Sequence, residues 1–439
     1  MIVKIYYTVT KVPHLALPTL LKCAQSHDPV FFFHNPDTQQ VRLAYGALAE
    51  CTFEKDQNLF LQLKEWYEQL AARLVCVPAG EKKQEIQPEI VGGLGFTNSK
   101  QSADQIWGKL RNGYYFLPQT LIVQGKAGAY VVACSFRPIE LKPITTAVRK
   151  ELQAAALSDC KLPSMGHLKV SATDVAVWKR NVAHVVAQIK QQHLSKVVLA
   201  RYLIVEAQTQ LDPYVTLQRL LKTQPETYHL LLKKSGTAFV SATPERFAKF
   251  KQHEFQTAAL AGTTARGQDT LADQRLGQLL LNDHKNRQEH RFVVKRIAAL
   301  LAQQRLKLTI PASPQLLKNK QVQHLYTPIK GTGPYQLFEL LAQLHPTPAL
   351  GGLPKQAALQ QIEKVEQRPR GLFGAPLGYL DFNCRGELVV GIRAAVLKEN
   401  QAYLFAGAGI VAESSPDKEV HETHLKFQPL LQALGGNDE

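Results

Sequence analysis

Residues 386–434 read GELVVGIRAAVLKENQAYLFAGAGIVAESSPDKEVHETHLKFQPLLQAL and carry the clearest structural signals in the chain. Two apolar stretches flank the polar tetrapeptide KENQ (398–401), a pattern that predicts two antiparallel strands joined by a turn. Ser415 then precedes Pro416, which is a typical N-cap and first-turn signal. We therefore expect a strand pair followed by a C-terminal helix.

Strand and helix signals occur in mixed runs over the rest of the chain. Further strands are predicted within 42–53 and 120–136, where strand residues surround small turn residues, at 196–205 (KVVLARYLIV), and as a strand pair over 227–247. Helices are predicted at 58–74, 141–157, 174–193 and 270–304. Because the two element types do not alternate strictly, we expect an α+β fold. In this fold, antiparallel β-sheets pack together and are flanked by helices in a single large domain. The connection KLPSMGH (161–167) divides it into subregions 1–165 and 166–439.

Composition and charge narrow the classes of protein. The 439 residues are 45% hydrophobic and 20% charged, and the six cysteines lack ligand spacing, which favours reduced thiols in a cytosol. No apolar run reaches transmembrane length, and no export signal opens the chain. The net charge of +16 suits either nucleic acid or a small polyanionic substrate. Lys and Arg are scattered and no nucleic-acid module is present, so we expect a small polyanionic substrate and no nucleic acid. We also expect no membrane association and a monomer.

Several carboxylates are candidates for a metal site. Glu419 and Glu422 are three residues apart on one face of the predicted last helix, with Lys426 one turn further on. Such a pair can bind a hard cation such as Mg²⁺ through oxygen, or can be a solvated, salt-bridged surface. Glu289, within HKNRQEH, can likewise face a cleft or form surface ion pairs with its basic neighbours.

An acid and a base can also be picked out, each with a structural alternative. Lys196 opens an apolar strand, so it is either an edge residue that reaches solvent or a buried amine able to act as general base. Glu245 follows Pro244 at a strand end, where a partly buried glutamate can serve as general acid. The glycine-rich segments 260–267 and 405–415 can bind anions through backbone amides.

Taken in order, these segments resemble the chorismate-binding enzymes, a family that includes isochorismate, salicylate, anthranilate and aminodeoxychorismate synthases. Weaker similarities lie upstream, in VGGLGF (91–96), Trp107 and FLP (116–118). The main blocks span about residues 170–430 and are KVVLAR, SATPERF, ALAGTTARG, HKNRQEH, QHLYTPIKG, LHPTPALGGLP, RGLFGAPLGYLD, GELVVGIRAA and AGAGIVAESSPDKEVHETHLK.

The resemblance implies a role for each candidate residue. Lys196 is the expected general base and Glu245 the expected general acid. Glu289 and Glu419 are the expected Mg²⁺ ligands, with Glu422 close by or acting through water. The remaining expected substrate-binding residues are Gly262, Thr263, His345, Ala349, Arg393, Gly407 and Lys426, with no organic cofactor.

The same resemblance discriminates between branches of the family. A lysine at position 196 is typical of members that attack with water, whereas ammonia users have glutamine there. Ala261 stands where aminodeoxychorismate synthases carry a nucleophilic lysine, and Lys330 belongs to a different block. Ala349 and Phe373 replace the threonine and tyrosine typical of salicylate synthases.

The predicted activity is therefore that of an isochorismate synthase, which converts chorismate to isochorismate. A salicylate synthase is the alternative within the family, and a basic nucleic-acid-binding protein is the alternative outside it. The product can enter menaquinone, catechol siderophore or salicylate synthesis. TPERF and the long N-terminal region resemble the menaquinone branch.

Overall fold

A computed structural model describes residues 3–53, 58–77, 86–97, 105–156, 168–172, 175–192, 194–318, 322–366 and 368–436. Its strands are β1 (Ile5–Val12), β2 (Val30–Asn35), β3 (Gln40–Thr52), β4 (Leu74–Cys76), β5 (Glu89–Leu94), β6 (Gly113–Gly125), β7 (Gly128–Ser135), β8 (Leu168–Ala172), β9 (Lys196–Ala207), β10 (Tyr228–Lys234), β11 (Thr237–Thr243), β12 (Arg246–Lys251), β13 (Glu254–Ala265), β14 (Lys307–Thr309), β15 (Gln315–Lys318), β16 (Val322–Thr332), β17 (Gly352–Leu353), β18 (Pro376–Asp381), β19 (Gly386–Val390), β20 (Ala394–Lys398) and β21 (Gln401–Ile410). Its α-helices are α1 (Leu17–Cys23), α2 (Leu59–Ala71), α3 (Leu141–Ala156), α4 (Val175–Lys190), α5 (Pro213–Thr223), α6 (Thr270–Asn282), α7 (His284–Gln303), α8 (Leu337–Leu344), α9 (Lys355–Val365) and α10 (Pro416–Leu434).

The strands form one hydrogen-bonded sheet, whose pairs are antiparallel except for β1 with β4. Strands from both predicted subregions pair directly, β2 with β10 and β5 with β18. The predicted α+β fold in a single large domain is therefore confirmed. The KLPSMGH connection, with the predicted boundary at 165/166, lies outside the described residues.

The sheet folds over so that an apolar layer lies between its two halves. On β2, Phe31 and Phe33 enter this inner layer, whereas Val30 and Phe32 face a second layer that is covered by α1, α3, α5 and α10. This division follows from the alternation of side chains along a strand. Trp107, fully buried, packs in the inner layer against Phe405 with ring centroids 5.3 Å apart.

Most predicted elements are present, but two predicted continuous segments are interrupted. The helix expected at 270–304 is divided into α6 and α7, because the Asp283 side chain accepts a hydrogen bond from Asn286 N and caps a new helix. The strand expected before KENQ is divided into β19 and β20 at residues 391–393, where Arg393 has a φ of +48°. Ser415 and Pro416 do begin α10, although the Ser415 side chain makes no capping hydrogen bond.

Within the described ranges, none of the helices has both the length and the apolar character that a bilayer crossing requires.

The contact between Gly371 and Trp107 provides a test of the inner layer. A Cβ at Gly371 would lie 2.2 Å from the Trp107 ring, whereas a Cβ at Gly236 would have no neighbour within 4 Å; both residues have a positive φ. We expect Gly236→Ala to lower the free energy of unfolding by about 1–2 kcal/mol through backbone strain alone. Gly371→Ala should cost roughly 1–3 kcal/mol more because of overpacking. Urea unfolding followed by tryptophan fluorescence compares them, and equal losses would contradict this packing.

Candidate active site

A cavity of about 250 Å³ opens on one face of the β9–β21 strand pair. Lys196 and Val198 of β9 line it beside Gly407 and Gly409 of β21, whose lack of side chains leaves the space open. A Cβ at Gly409 would lie 3.0 Å from Lys196 Cε, so glycine there also makes room for the lysine. Among the remaining lining residues are Glu245, Gly262, Thr263, Asn286, Glu289, His324, Ala349, Phe373, Arg393, Glu422 and Lys426.

Lys196 and Glu289 form an ion pair across this cavity. Lys196 Nζ lies 2.7 Å from Glu289 Oε1, and their side chains are 14% and 32% exposed. Lys196 comes from the start of β9 and Glu289 from the second turn of α7. The division of the predicted long helix at Asp283 begins α7 just upstream of Glu289. Glu289 thus both faces the cavity and forms an ion pair, and its partner is Lys196, the candidate base.

Helix α10 supplies the opposite wall, with Glu419, Glu422 and Lys426 along one face. Lys426 Nζ donates hydrogen bonds to Gly407 O at 2.8 Å and to Glu422 Oε1 at 2.6 Å. Burial opposes ionisation of Glu422, but Lys426 and Arg393 outweigh it and hold the pKa of Glu422 below its usual value. Burial raises the pKa of Glu419, and its Oε2 is buried without a hydrogen-bond partner.

Glu245 follows Pro244 in the connection between β11 and β12, and both residues line the cavity. Burial raises the pKa of Glu245 to about 7, although Lys426 and Lys196 act in the opposite direction. The carboxyl is therefore about half protonated near neutrality, a state in which it can either donate or accept a proton. This is the raised pKa that the predicted general acid needs.

Two further groups prepare the cavity for an anion. Burial lowers the pKa of Arg393 to about 10, with Glu422 acting against the shift, and Arg393 Nη1 is buried without a hydrogen-bond partner. A guanidinium in this condition is ready to bind a carboxylate. Burial, with Lys426 and Arg393, lowers the pKa of His324 to about 4, so its imidazole is neutral at pH 7.

His324 and Asn286 are cavity residues that the sequence analysis did not single out. His324 Nδ1 lies 2.8 Å from Thr263 Oγ1, because β13 and β16 pair in a register that places the two residues opposite each other. Local patterns do not reveal this pairing. The sequence signal for His324 is its place in the block QHLYTPIKG, in which no residue was assigned a role.

Comparison with known proteins identifies the family of this chain. The family model described as chorismate binding enzyme matches residues 2–435. The chain belongs to this family.

Two relatives and one solved structure show how far the similarity extends. Isochorismate synthase MenF of Bacillus subtilis is 32% identical over 418 residues, which is 92% of this chain and 88% of the relative. The salicylate biosynthesis isochorismate synthase of Pseudomonas aeruginosa is 39% identical over 276 residues, covering 61% of this chain and 57% of the relative. The solved structure of MenF, the menaquinone-specific isochorismate synthase from Escherichia coli, superposes with a TM-score of 0.81 at 25% identity, covering 98% of this chain and 94% of that one.

Two predicted site residues of this chorismate-binding enzyme, His345 and Glu419, do not line the cavity. His345 packs behind the wall between Phe60, Phe96 and Phe247, with ring centroids 5.7–6.1 Å away. Its Nε2 lies 2.9 Å from Phe96 O, and burial lowers the pKa of His345 to about 4. Its position is that of a neutral core residue. Every other predicted site residue except Glu419 lines the cavity directly, and Glu419 lies on the same helix as Glu422 and Lys426.

The carboxylates fit a magnesium ion that is completed by other ligands, and do not form a full protein cage. In the part of the chain that the structure describes, no three His, Cys, Asp or Glu side chains group closely enough to hold a metal on their own. Mg²⁺ typically takes one or two protein carboxylates and keeps waters or substrate oxygens for the rest of its shell. The unpartnered, buried Oε2 of Glu419 and the cavity-facing Glu422 and Glu289 supply oxygen donors of this kind.

The raised pKa of Glu245 predicts that this residue lowers the stability of the folded protein at high pH. Its ordinary pKa is 4.5 and the folded value is about 7, so the folded state loses stability as pH rises between them. We expect Glu245→Gln to raise the thermal midpoint relative to wild type at about pH 8.5, and to have little effect at about pH 4.5, where the Glu245 carboxyl of the folded wild type is also uncharged.

Glu413→Gln is the control for this measurement. A hydrogen bond from Lys285 lowers the pKa of the exposed Glu413, so its loss should bring no gain at high pH. A Glu245→Gln variant that is no more stable than wild type at high pH would show that the carboxylate carries no burial penalty.

Proposed function

We propose that this chain is a magnesium-dependent isochorismate synthase that adds water at C2 of chorismate and removes the C4 hydroxyl. The observation that carries the proposal is the placing of Glu245, with a pKa of about 7, in the same cavity as Lys196. An allylic displacement needs a base for the entering water and an acid for the departing hydroxyl. These two groups face one cavity and interact electrostatically.

Binding of the dianionic substrate is assigned to the cationic side of the cavity. Arg393 brings an unpartnered Nη1, and a guanidinium binds a carboxylate with two parallel hydrogen bonds. Lys426 is already held by Gly407 O and Glu422, which orients its ammonium before the substrate arrives. Neutral His324, fixed by Thr263, can add a hydrogen bond without adding charge.

The proposed reaction is balanced in atoms and protons. Lys196 accepts a proton from the water that attacks C2, the ring double bonds shift, and Glu245 donates its proton to the C4 hydroxyl, which leaves as water. Glu289 and Glu419 would hold a magnesium ion, with Glu422 close by or acting through water, and the ion would neutralise the ring carboxylate and stabilise charge that develops on it. The contact of 2.7 Å between Lys196 Nζ and Glu289 Oε1 positions the amine of the proposed base in the cavity.

Menaquinone synthesis is the pathway that we propose, since the similarity to the MenF proteins extends over nearly the whole chain. By sequence, the Bacillus subtilis protein matches 92% of it, against 61% for the Pseudomonas aeruginosa protein of salicylate synthesis. We further propose that the enzyme acts in the cytosol as a monomer. Free thiols at Cys23, Cys51, Cys76, Cys134 and Cys384 support a reducing compartment.

Incubation of the purified protein with chorismate and Mg²⁺ tests the activity directly. We expect isochorismate as the sole product by chromatography, with activity lost on chelation and restored by added Mg²⁺. Salicylate with pyruvate would instead identify a salicylate synthase. No turnover, with or without metal, would contradict the enzymatic proposal, and salt-sensitive retention on DNA or RNA would then favour the nucleic-acid alternative.

Substitution of Lys196 tests the general base. We expect Lys196→Ala to lower kcat by a factor on the order of 10²–10⁴, the usual contribution of a positioned base, while chorismate still binds. Steady-state kinetics measures the loss, and a thermal shift with chorismate measures binding. Lys251→Ala is the matched control, because Lys251 is exposed and only reaches Glu254 at 3.8 Å. Wild-type kcat in Lys196→Ala would refute the assignment.

A further inference from the structure

A second cavity, of about 490 Å³, adjoins the active cavity on the far side of Glu245. Pro244, Glu245 and Leu260 line both cavities, so these residues form the partition between them. The general acid is the one titratable residue that the two linings share in the described structure. It therefore has a second environment besides the one in which substrate binds.

The two cavities lie end to end on one face of the β13–β16 strand pair. Buried and partly exposed residues alternate along both strands, and the partly exposed pairs are Leu260 with Tyr326, Ala258 with Pro328, and Gln256 with Lys330. At one end of this face, Thr263 and His324 line the active cavity. At the other end, Ala258 and Pro328 line the second cavity.

Polar side chains line part of the second cavity, where they can bind water. One of them is Arg246, whose Nε lies 3.2 Å from Tyr228 Oη and whose Nη2 lies 3.5 Å from Asp37 Oδ2. Glu226 and Gln256 add further polar groups to the lining. One water needs roughly 10–15 Å³ and two to four polar partners, so a cavity of this size and lining can hold a chain of waters.

The proposed reaction requires Glu245 and Lys196 to exchange protons with solvent. Each turnover of the proposed reaction leaves Glu245 without its proton and releases one water beside it. In the proposed reaction the substrate ring occupies the space between Glu245 and Lys196, so the proton that Lys196 gains does not pass directly to Glu245 while the ring is bound. Glu245 has to recover a proton from solvent, and Lys196 has to release its own to solvent, before the next cycle.

We propose that the second cavity is the solvent path by which Glu245 is reprotonated and the departing water leaves. The inference rests on the proposed isochorismate synthase activity. It makes Ala258, at the middle of the path floor, a position that controls turnover without contact with substrate.

Filling the path with a larger side chain tests the inference. Ala258→Phe should lower kcat on the order of tenfold with kcat/KM unchanged, because reprotonation follows product release and KM falls in parallel. The solvent deuterium isotope effect on kcat should rise, since proton return becomes rate-limiting. Ala258→Leu should give a smaller change in the same direction, and it serves if the phenylalanine variant does not fold.

Ala265→Phe is the matched control, since Ala265 lies on the same strand, is exposed and lines neither cavity. It should retain wild-type kcat and isotope effect. Folded Ala258 variants with unchanged kcat, or with kcat and kcat/KM lowered equally, would overturn the path. Wild-type turnover of chorismate in the same assay separates this outcome from failure of the proposed function, which would remove turnover from all variants.

Discussion

The active cavity depends on the register between β9 and β21. Ten consecutive residue pairs, from Gln401 opposite Glu206 to Ile410 opposite Val197, hold the two strands together. A shift of one residue would turn Lys196 and Val198 to the other face, because side chains alternate along a strand. It would also replace the glycines of β21 that leave room for Lys196. The position of the candidate base is thus a consequence of backbone hydrogen bonding over the full length of the strand pair.

Within that frame, charge is distributed so that several groups have no adequate partner in the free protein. Glu419 Oε2 and Arg393 Nη1 are buried without hydrogen bonds, and Glu245 is destabilised as a carboxylate. Leaving a buried polar group unsatisfied costs on the order of 1–3 kcal/mol. In the proposed function, a metal ion and a dicarboxylate would satisfy these groups. These groups therefore lower the stability of the free protein and are available to bind ligands, which is a common feature of functional sites.

The sequence by itself determined much of the architecture and most of the site. The α+β class, the turn at KENQ, the start of α10 and the shared helical face of Glu419, Glu422 and Lys426 all follow from local patterns. Periodicity, turn chemistry and capping act over a few residues, and these are the interactions that a sequence displays directly. The ordered motif blocks added the family, which residue patterns alone left undecided.

Only the tertiary structure decided how these residues meet. The ion pair between Lys196 and Glu289 joins residues 93 positions apart, and the contact between Thr263 and His324 joins residues 61 apart. Neighbours that are distant in sequence also determine the break between β19 and β20 at residues 391–393, where Arg393 lies. They likewise determine the position of His345 in the core. Register and packing set these positions, and so does the burial that gives Glu245 its pKa of about 7. Local propensity carries no information about any of them, because each arises from contacts between strands and helices that come together only in the folded chain.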